Sequence, residues 1–292
     1  MKKYLSLSSL LLVVAGSYAF AEDAVPAESK SDATQFMRVR RVDDKPAALE
    51  TAIVRYALPP RDRRPAATVD LIGAVHVADK SYFDHLNKVF TNYDALLYEL
   101  VAAENVVPTK DGGRSRHPVS SMQTSMKSML ELEFQLDCID YTKSNFIHAD
   151  MTPEEFAKTM KQRDESFFKM FLRMIGQGIA EQSSDPGRNS DREMFMALFA
   201  KDRAARLKRV MAVQFEDMDG QLAVVNGQNG STIITERNKK ALAVLQDQLD
   251  AGKRRLGIFY GAGHLADMEE RLVRDFGAKL ASRTWVPAWK LD

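Results

Sequence analysis

Two histidines stand at the same place in one repeated pattern: Gly73-Ala74-Val75-His76-Val77-Ala78-Asp79 and Gly261-Ala262-Gly263-His264-Leu265-Ala266-Asp267 both read G-A-x-H-x-A-D. An imidazole can work as a general base near neutral pH, or offer a ring nitrogen to a metal ion. Read structurally, the same side chains would cap helices or hydrogen-bond in the core. One G-x-x-H carries no more than that, whereas two copies in equivalent contexts favour a site.

Glu99 is the third candidate. It interrupts Asp94 to Val101, DALLYELV, an apolar run of the kind that forms a central strand buried on both faces. A carboxylate there is costly unless it is paired, hydrogen-bonded or bound to a metal, so Glu99 is a salt-bridge partner, a ligand or a general base. Arg237 and Asn238 in the triplet Glu236-Arg237-Asn238 complete the set: Arg237 to hold a substrate carboxylate or an oxyanion, Asn238 to orient it. The remaining histidines offer less: His85 lies at the edge of a helical apolar stripe, His117 beside Pro118 reads as surface, and His148 in FIHAD falls in a loop with no role assigned. Cys138, the only cysteine, rules out an intrachain disulfide or a cysteine-based metal site and is expected to be a buried, inert thiol.

The elements that must position these residues follow from periodicity. Each motif copy succeeds a strand-like run, Ala67 to Val75 or Leu256 to Tyr260, and precedes a helical pattern. Each therefore predicts a strand, a tight turn in which Gly73 or Gly261 supplies positive φ, the histidine, and a helix with Asp79 or Asp267 as N-cap. Parallel neighbouring strands would deliver both histidines to one sheet edge, with Glu99 arriving from the strand after the first corner. In open α/β sheets the C-terminal strand edge is where ligands bind.

Around these corners the pattern predicts a first strand over Leu49 to Leu58. Tyr82, Phe83, Leu86, Val89 and Phe90 mark a helix, and Trp285 to Leu291 a closing edge strand carrying Pro287. Thr235 is expected to cap the helix bearing Leu242, Leu245 and Leu249, with Gly252 past its end; Met268, Leu272, Val273 and Phe276 form the buried side of the helix after the second corner. Between the corners, residues of about 118–215 read as a helical insertion rich in Met and Phe. It holds a capping box at Thr152-Pro153-Glu154-Glu155 and a solvated face at Arg203, Arg206 and Arg209. Such an insertion could cover the strand ends as a lid or serve as plain core. The fold class expected is α/β: a central mixed sheet with flanking helices and a helical insertion between two repeated strand-GxxH-helix units.

The 292 residues suffice for a large core, and 45% hydrophobic with 28% charged residues is ordinary for a globular protein. A formal net charge of +1 gives no basic excess for nucleic acid. Residues 1–21 have a lysine n-region, a short apolar stretch and an Ala19-Phe20-Ala21 cleavage site, the pattern of a secretory signal peptide. The apolar stretch is shorter than the ~20 residues of a spanning helix, so the mature chain is expected to be exported, periplasmic or secreted, without a membrane span. Residues 22–46 are expected to be a flexible linker and 47–292 a single domain.

With these residues in view, the chain resembles the TraB/GumN family, which includes the Tiki metalloproteases. The resemblance rests on Gly73-Ala74-Val75-His76, Glu99 in LLYELV, Glu236-Arg237-Asn238 and Gly261-Ala262-Gly263-His264, and is weakest through the helical middle. It implies an α/β domain related to erythromycin esterase and to a haem-binding group, and a site of two G-x-x-H histidines and a glutamate that in Tiki proteins supports Mn- or Co-dependent peptide cleavage. The chain is expected to depart from Tiki in being an export product without its membrane tether, so the substrate does not carry over.

Three readings follow. The first is a divalent-metal peptidase, with His76, Glu99 and His264 holding Mn, Co or Zn and cleaving a peptide or small-molecule substrate. The second is a metal-free esterase in which His76 activates water and Glu99 orients its ring. The third is a non-catalytic protein that binds haem or a metal.

Overall fold

Alternation of apolar and basic residues in Met37-Arg38-Val39-Arg40 starts the sheet: Met37 and Val39 point into the core while the arginines flank the buried Glu50. The computed structural model describes residues 35–61, 64–103, 106–108, 130–166, 200, 202–216, 226 and 230–291, all within the unit Thr34–Asp292. Strand β1 (Met37–Val42) turns into β2 (Lys45–Leu58) through Asp43 and Asp44, both at positive φ (48° and 61°), as a two-residue hairpin requires. The expected linker 22–46 is thus wrong from Met37 onward. Three arginines, followed by two aspartates in the turn, disguise a strand whose inward positions are apolar.

The other elements are β3 (Ala67–Ala74), β4 (Val77–Ala78), α1 (Lys80–Phe90), β5 (Ala95–Tyr98), β6 (Glu133–Phe134), α2 (Gln135–Cys138), β7 (Phe146–His148), α3 (Pro153–Gln162) and α4 (Arg203–Glu216). A π-turn at Thr232–Glu236 leads into α5 (Arg237–Asp250), β8 (Arg255–Gly261), a 3-10 turn at Ala262–His264, α6 (Leu265–Phe276) and β9 (Lys279–Lys290). The fold is α/β with a mixed seven-stranded sheet flanked by helices, as expected. Its order is β1-β2-β3-β8-β5-β7, with β9 also on β2. The β1, β2, β3 and β9 pairings are antiparallel, whereas β3-β8, β8-β5 and β5-β7 are parallel. β1 and β3 pair with successive halves of β2, and β9 runs along its other edge from Ala48 to Ala57.

The parallel half positions the site. β3, β8, β5 and β7 end together, so the residues that follow them share one edge. β7 is a correction: Phe146–His148 of FIHAD is a strand rather than a loop, and it extends the sheet inside the segment expected to be a helical insertion. Its Phe146 packs edge-on against Phe90 and Tyr141, which explains why three residues suffice. The capping box forms as expected at Thr152 and Glu155, and Leu207 is buried on α4. Residues 1–34, His117, 109–129 and 167–199 lie outside the described residues, and with them the signal peptide, most of the linker and much of the insertion.

Several local expectations change. Thr235 is not the cap; the hydroxyl of Ser231 accepts from Ile234 N, and Thr235 donates to Asn226. On α6, Met268, Leu272 and Phe276 face the core at i, i+4, i+8, whereas Val273, one step round the helix, is 49% exposed. Cys138 is half-buried, not buried. The closing strand is an edge as expected but begins at Lys279. No helix among the described residues is long and apolar enough to cross a membrane.

Candidate functional site

The two motif copies diverge after their strands. Past β3 the chain carries His76 into β4, which pairs with β6, so His76 is exposed and its carbonyl accepts from Gln135 N at 2.9 Å. Past β8 the 3-10 turn brings His264 to the N-cap position of α6, buried. Asp267 is therefore not the N-cap. It lies in the first turn, where it accepts from Asn238 and Arg271. Asp79 occupies the N-cap of α1 without a side-chain cap bond; it takes Lys208 Nζ at 2.9 Å and Lys290 N at 2.6 Å instead.

Neither motif glycine has positive φ; Gly261 lies at φ −49°, ψ 136°. Their reason is close approach. A Cβ at Gly73 would sit 3.3 Å from the Phe36 carbonyl, and one at Gly261 would sit 3.3 Å from Glu99 Oε2. The bare backbone at Gly261 lets its N–H donate to Glu99 at 2.7 Å.

Glu99 follows β5 directly and is a salt-bridge carboxylate. Arg237 Nη2 lies 2.6 Å from Glu99 Oε1, and its Nε and Nη2 also grip Asp150 in a fork at 2.9 and 2.6 Å. The fork expected to hold a substrate carboxylate is thus occupied by the protein's own. Arg237 Nη1 faces His264 Nε2 at 3.5 Å, and that nitrogen is 3.6 Å from Glu99 Oε1. The side chains of Arg237, His264 and Glu99 are only 10%, 7% and 13% exposed.

Burial alone would raise the Glu99 carboxyl, but a protonated His264, the Arg237 guanidinium, the Gly261 N–H and His76 outweigh it and hold the group at about 2. Burial pushes the His264 imidazole down, against the pull of Glu99, so near neutral pH the ring is uncharged. Arg237 loses hydration too, yet Asp150 and Glu99 more than compensate and it stays cationic.

Both histidines present the same nitrogen. His264 Nδ1 meets Asn238 Oδ1 at 2.7 Å, and His76 Nδ1 meets Gln135 Oε1 at 3.2 Å while the Gln135 amide nitrogen donates to Tyr141. An amide oxygen on Nδ1 keeps the proton there and leaves Nε2 with its lone pair. Asn238 therefore orients His264, not Arg237.

Of the expected residues, the structure brings Glu99, Arg237, Asn238 and His264 together. His76 stands at the same edge, exposed. Sequence reasoning missed Asp150. It follows β7 much as Glu99 follows β5, and its signal was the β-favouring triplet Phe146-Ile147-His148 two residues earlier. His148 turns away to the Leu100 carbonyl at 2.6 Å, and His85 is exposed.

Comparison with family models, with curated proteins and with solved structures finds no match to this chain.

A divalent ion between Glu99 Oε1 and His264 Nε2 would have to displace the guanidinium lodged against both atoms. With Arg237 in place, cation meets cation. Among the described residues no group of three or more His, Cys, Asp or Glu side chains is arranged to hold a metal ion, and His76, Glu99 and His264 form no such group. The donor set as folded does not fit a metal.

Proposed function

We propose that this protein is an exported hydrolase of the TraB/GumN kind, working without a resident metal on the ester or amide bond of a small molecule or peptide. The observation that carries this reading is the Arg237 guanidinium seated between Glu99 and His264, at 2.6 and 3.5 Å. It takes the place a metal would need and leaves His76 as the exposed base at the strand edge.

In this reading His76 Nε2 accepts a proton from water as the water oxygen bonds to the substrate carbonyl carbon. The proton then passes to the leaving oxygen or nitrogen as its bond to that carbon breaks. Gln135 holds the ring through Nδ1, and Glu99 stands ionised at the same strand edge. Arg237 and the Gly261 N–H keep Glu99 ionised.

A metal-holding reading has one observation in its favour: two Nε2 lone pairs prepared by amide oxygens, the arrangement metal-ligating histidines use. It requires Arg237 to leave. The full chain, assayed on activated esters and on peptides, separates the readings. Turnover untouched by chelator, and reduced about 100-fold or more in His76→Ala, is expected from a lost general base. Activity abolished by chelator and restored by manganese would return the metal reading; a haem absorbance band without turnover would make this a binding protein.

A further inference from the structure

At the opposite edge of the sheet, where β3 and β8 begin, α5 ends over a cavity of about 680 Å³ lined mainly by Arg61, Arg64, Gln246, Asp250 and Arg254. Among the described residues, three arginines and one aspartate line it. We propose that this cavity is a binding site for a small molecule bearing a phosphate monoester.

Arg64 carries the argument. Its Nε and Nη2 are shielded from solvent and have no hydrogen-bond partner, while Nη1 only grazes Gln246 Oε1 at 3.4 Å. Those two nitrogens form one edge of the guanidinium, the edge that takes two oxygens of one anion in parallel hydrogen bonds. Leaving such an edge buried and unpaired is costly, and turning it toward a two-oxygen anion in the cavity removes the cost.

The other arginines are held ready. Arg61 Nη1 donates to the Asp275 carbonyl at 3.2 Å and Arg254 Nη1 to the Pro65 carbonyl at 3.3 Å, neutral acceptors that leave both side chains without an ion pair among the described residues. Asp250 is engaged by Gln246 Nε2 at 2.8 Å. Among the described residues the lining has a formal surplus of two positive charges. A phosphate monoester carries about −1.5 to −2 at neutral pH and matches that surplus better than a single carboxylate does. The cavity also falls in the ~300–1,000 Å³ range of small-molecule sites, so it has room for more than the phosphate itself.

Calorimetric titration of the full chain with phenyl phosphate, inorganic phosphate and benzoate tests this. Phenyl phosphate should bind saturably and most tightly of the three. Arg64→Gln and Arg64→Lys should each weaken it by about 10-fold or more, the lysine because it keeps the charge but loses the fork. Should Arg64→Gln fail to fold, Arg254→Gln on the other wall reads the same loss. Benzoate binding as tightly would overturn the preference for phosphate, and inorganic phosphate binding as tightly would overturn the assignment to a larger molecule. No saturable binding of either phosphate, or binding indifferent to these substitutions, would overturn the site itself.

Discussion

The side-chain oxygen of Asn238 lies 2.7 Å from Nδ1 of His264, and the nitrogen of the same amide already donates to the His264 carbonyl at 2.9 Å and to Asp267 Oδ2 at 2.8 Å. Two acceptors on the nitrogen fix the amide's orientation, so the oxygen can only accept and the proton of a neutral His264 belongs on Nδ1. Nitrogen-15 NMR of the ring should show that tautomer. Asn238→Ala should lose it and cost roughly 1–3 kcal/mol in chemical denaturation, because a buried ring N–H and the His264 carbonyl are left unpaired. An unchanged tautomer in the variant would show that something else sets it.

Arg237→Met should be among the most damaging substitutions in the chain. It leaves Glu99 and Asp150, both gripped by one guanidinium, without a counter-charge, at a cost of about 3–5 kcal/mol. Arg237→Lys should recover only part of this, since an ammonium cannot make the fork to Asp150. Denaturation midpoints equal to the parent's for either variant would contradict the role given to the ion pair.

Acid should erode stability in two stages. His264 is held below its usual 6.5 by burial, so the unfolded chain binds its proton first and stability falls as pH drops below that value. Glu99 is held at about 2 against the ordinary 4.5, so its contribution is complete above 4.5 and disappears as pH falls toward 2. That second stage is worth on the order of 3 kcal/mol. Glu99→Gln should flatten the lower limb in pH-dependent denaturation, and a limb that survives the substitution would assign it to other carboxylates.

Gly261→Ala should act through Glu99 rather than through the backbone, whose φ suits alanine. The new methyl meets Glu99 Oε2 at 3.3 Å and loosens its bond to the Gly261 N–H. The expected signature is a Glu99 carboxyl that titrates higher, moving the lower acid limb upward in pH. Alanine tolerated with the limb unmoved would mean that the glycine is kept for another reason.

Much of this site was legible because strand, glycine and histidine recur in order, and because a glutamate in LLYELV is a chemical anomaly that demands a partner. A salt bridge is only one of its possibilities and its partner goes unnamed, since nothing in the spacing of Glu99 and Arg237 says that they meet. The reason given for Gly73 and Gly261 was wrong: sequence cannot separate a glycine needed for positive φ from one needed for close approach. Asp150 stayed hidden because a three-residue strand stabilised by neighbouring aromatic rings has too little pattern of its own. β1 was missed because two of its arginines, Arg38 and Arg40, answer to Glu50, a residue of the next strand.

β8 lies between β3 and β5, although both are complete long before it in the chain. Until Arg255–Gly261 arrives, those two strands offer open parallel edges, and Glu99 lacks the Gly261 N–H that it accepts. The central pairing therefore cannot form in the order in which the chain is made. Folding must wait for a distant segment, which makes it intrinsically slow, and a chain interrupted before Arg255 exposes the unpaired apolar strands that seed aggregation.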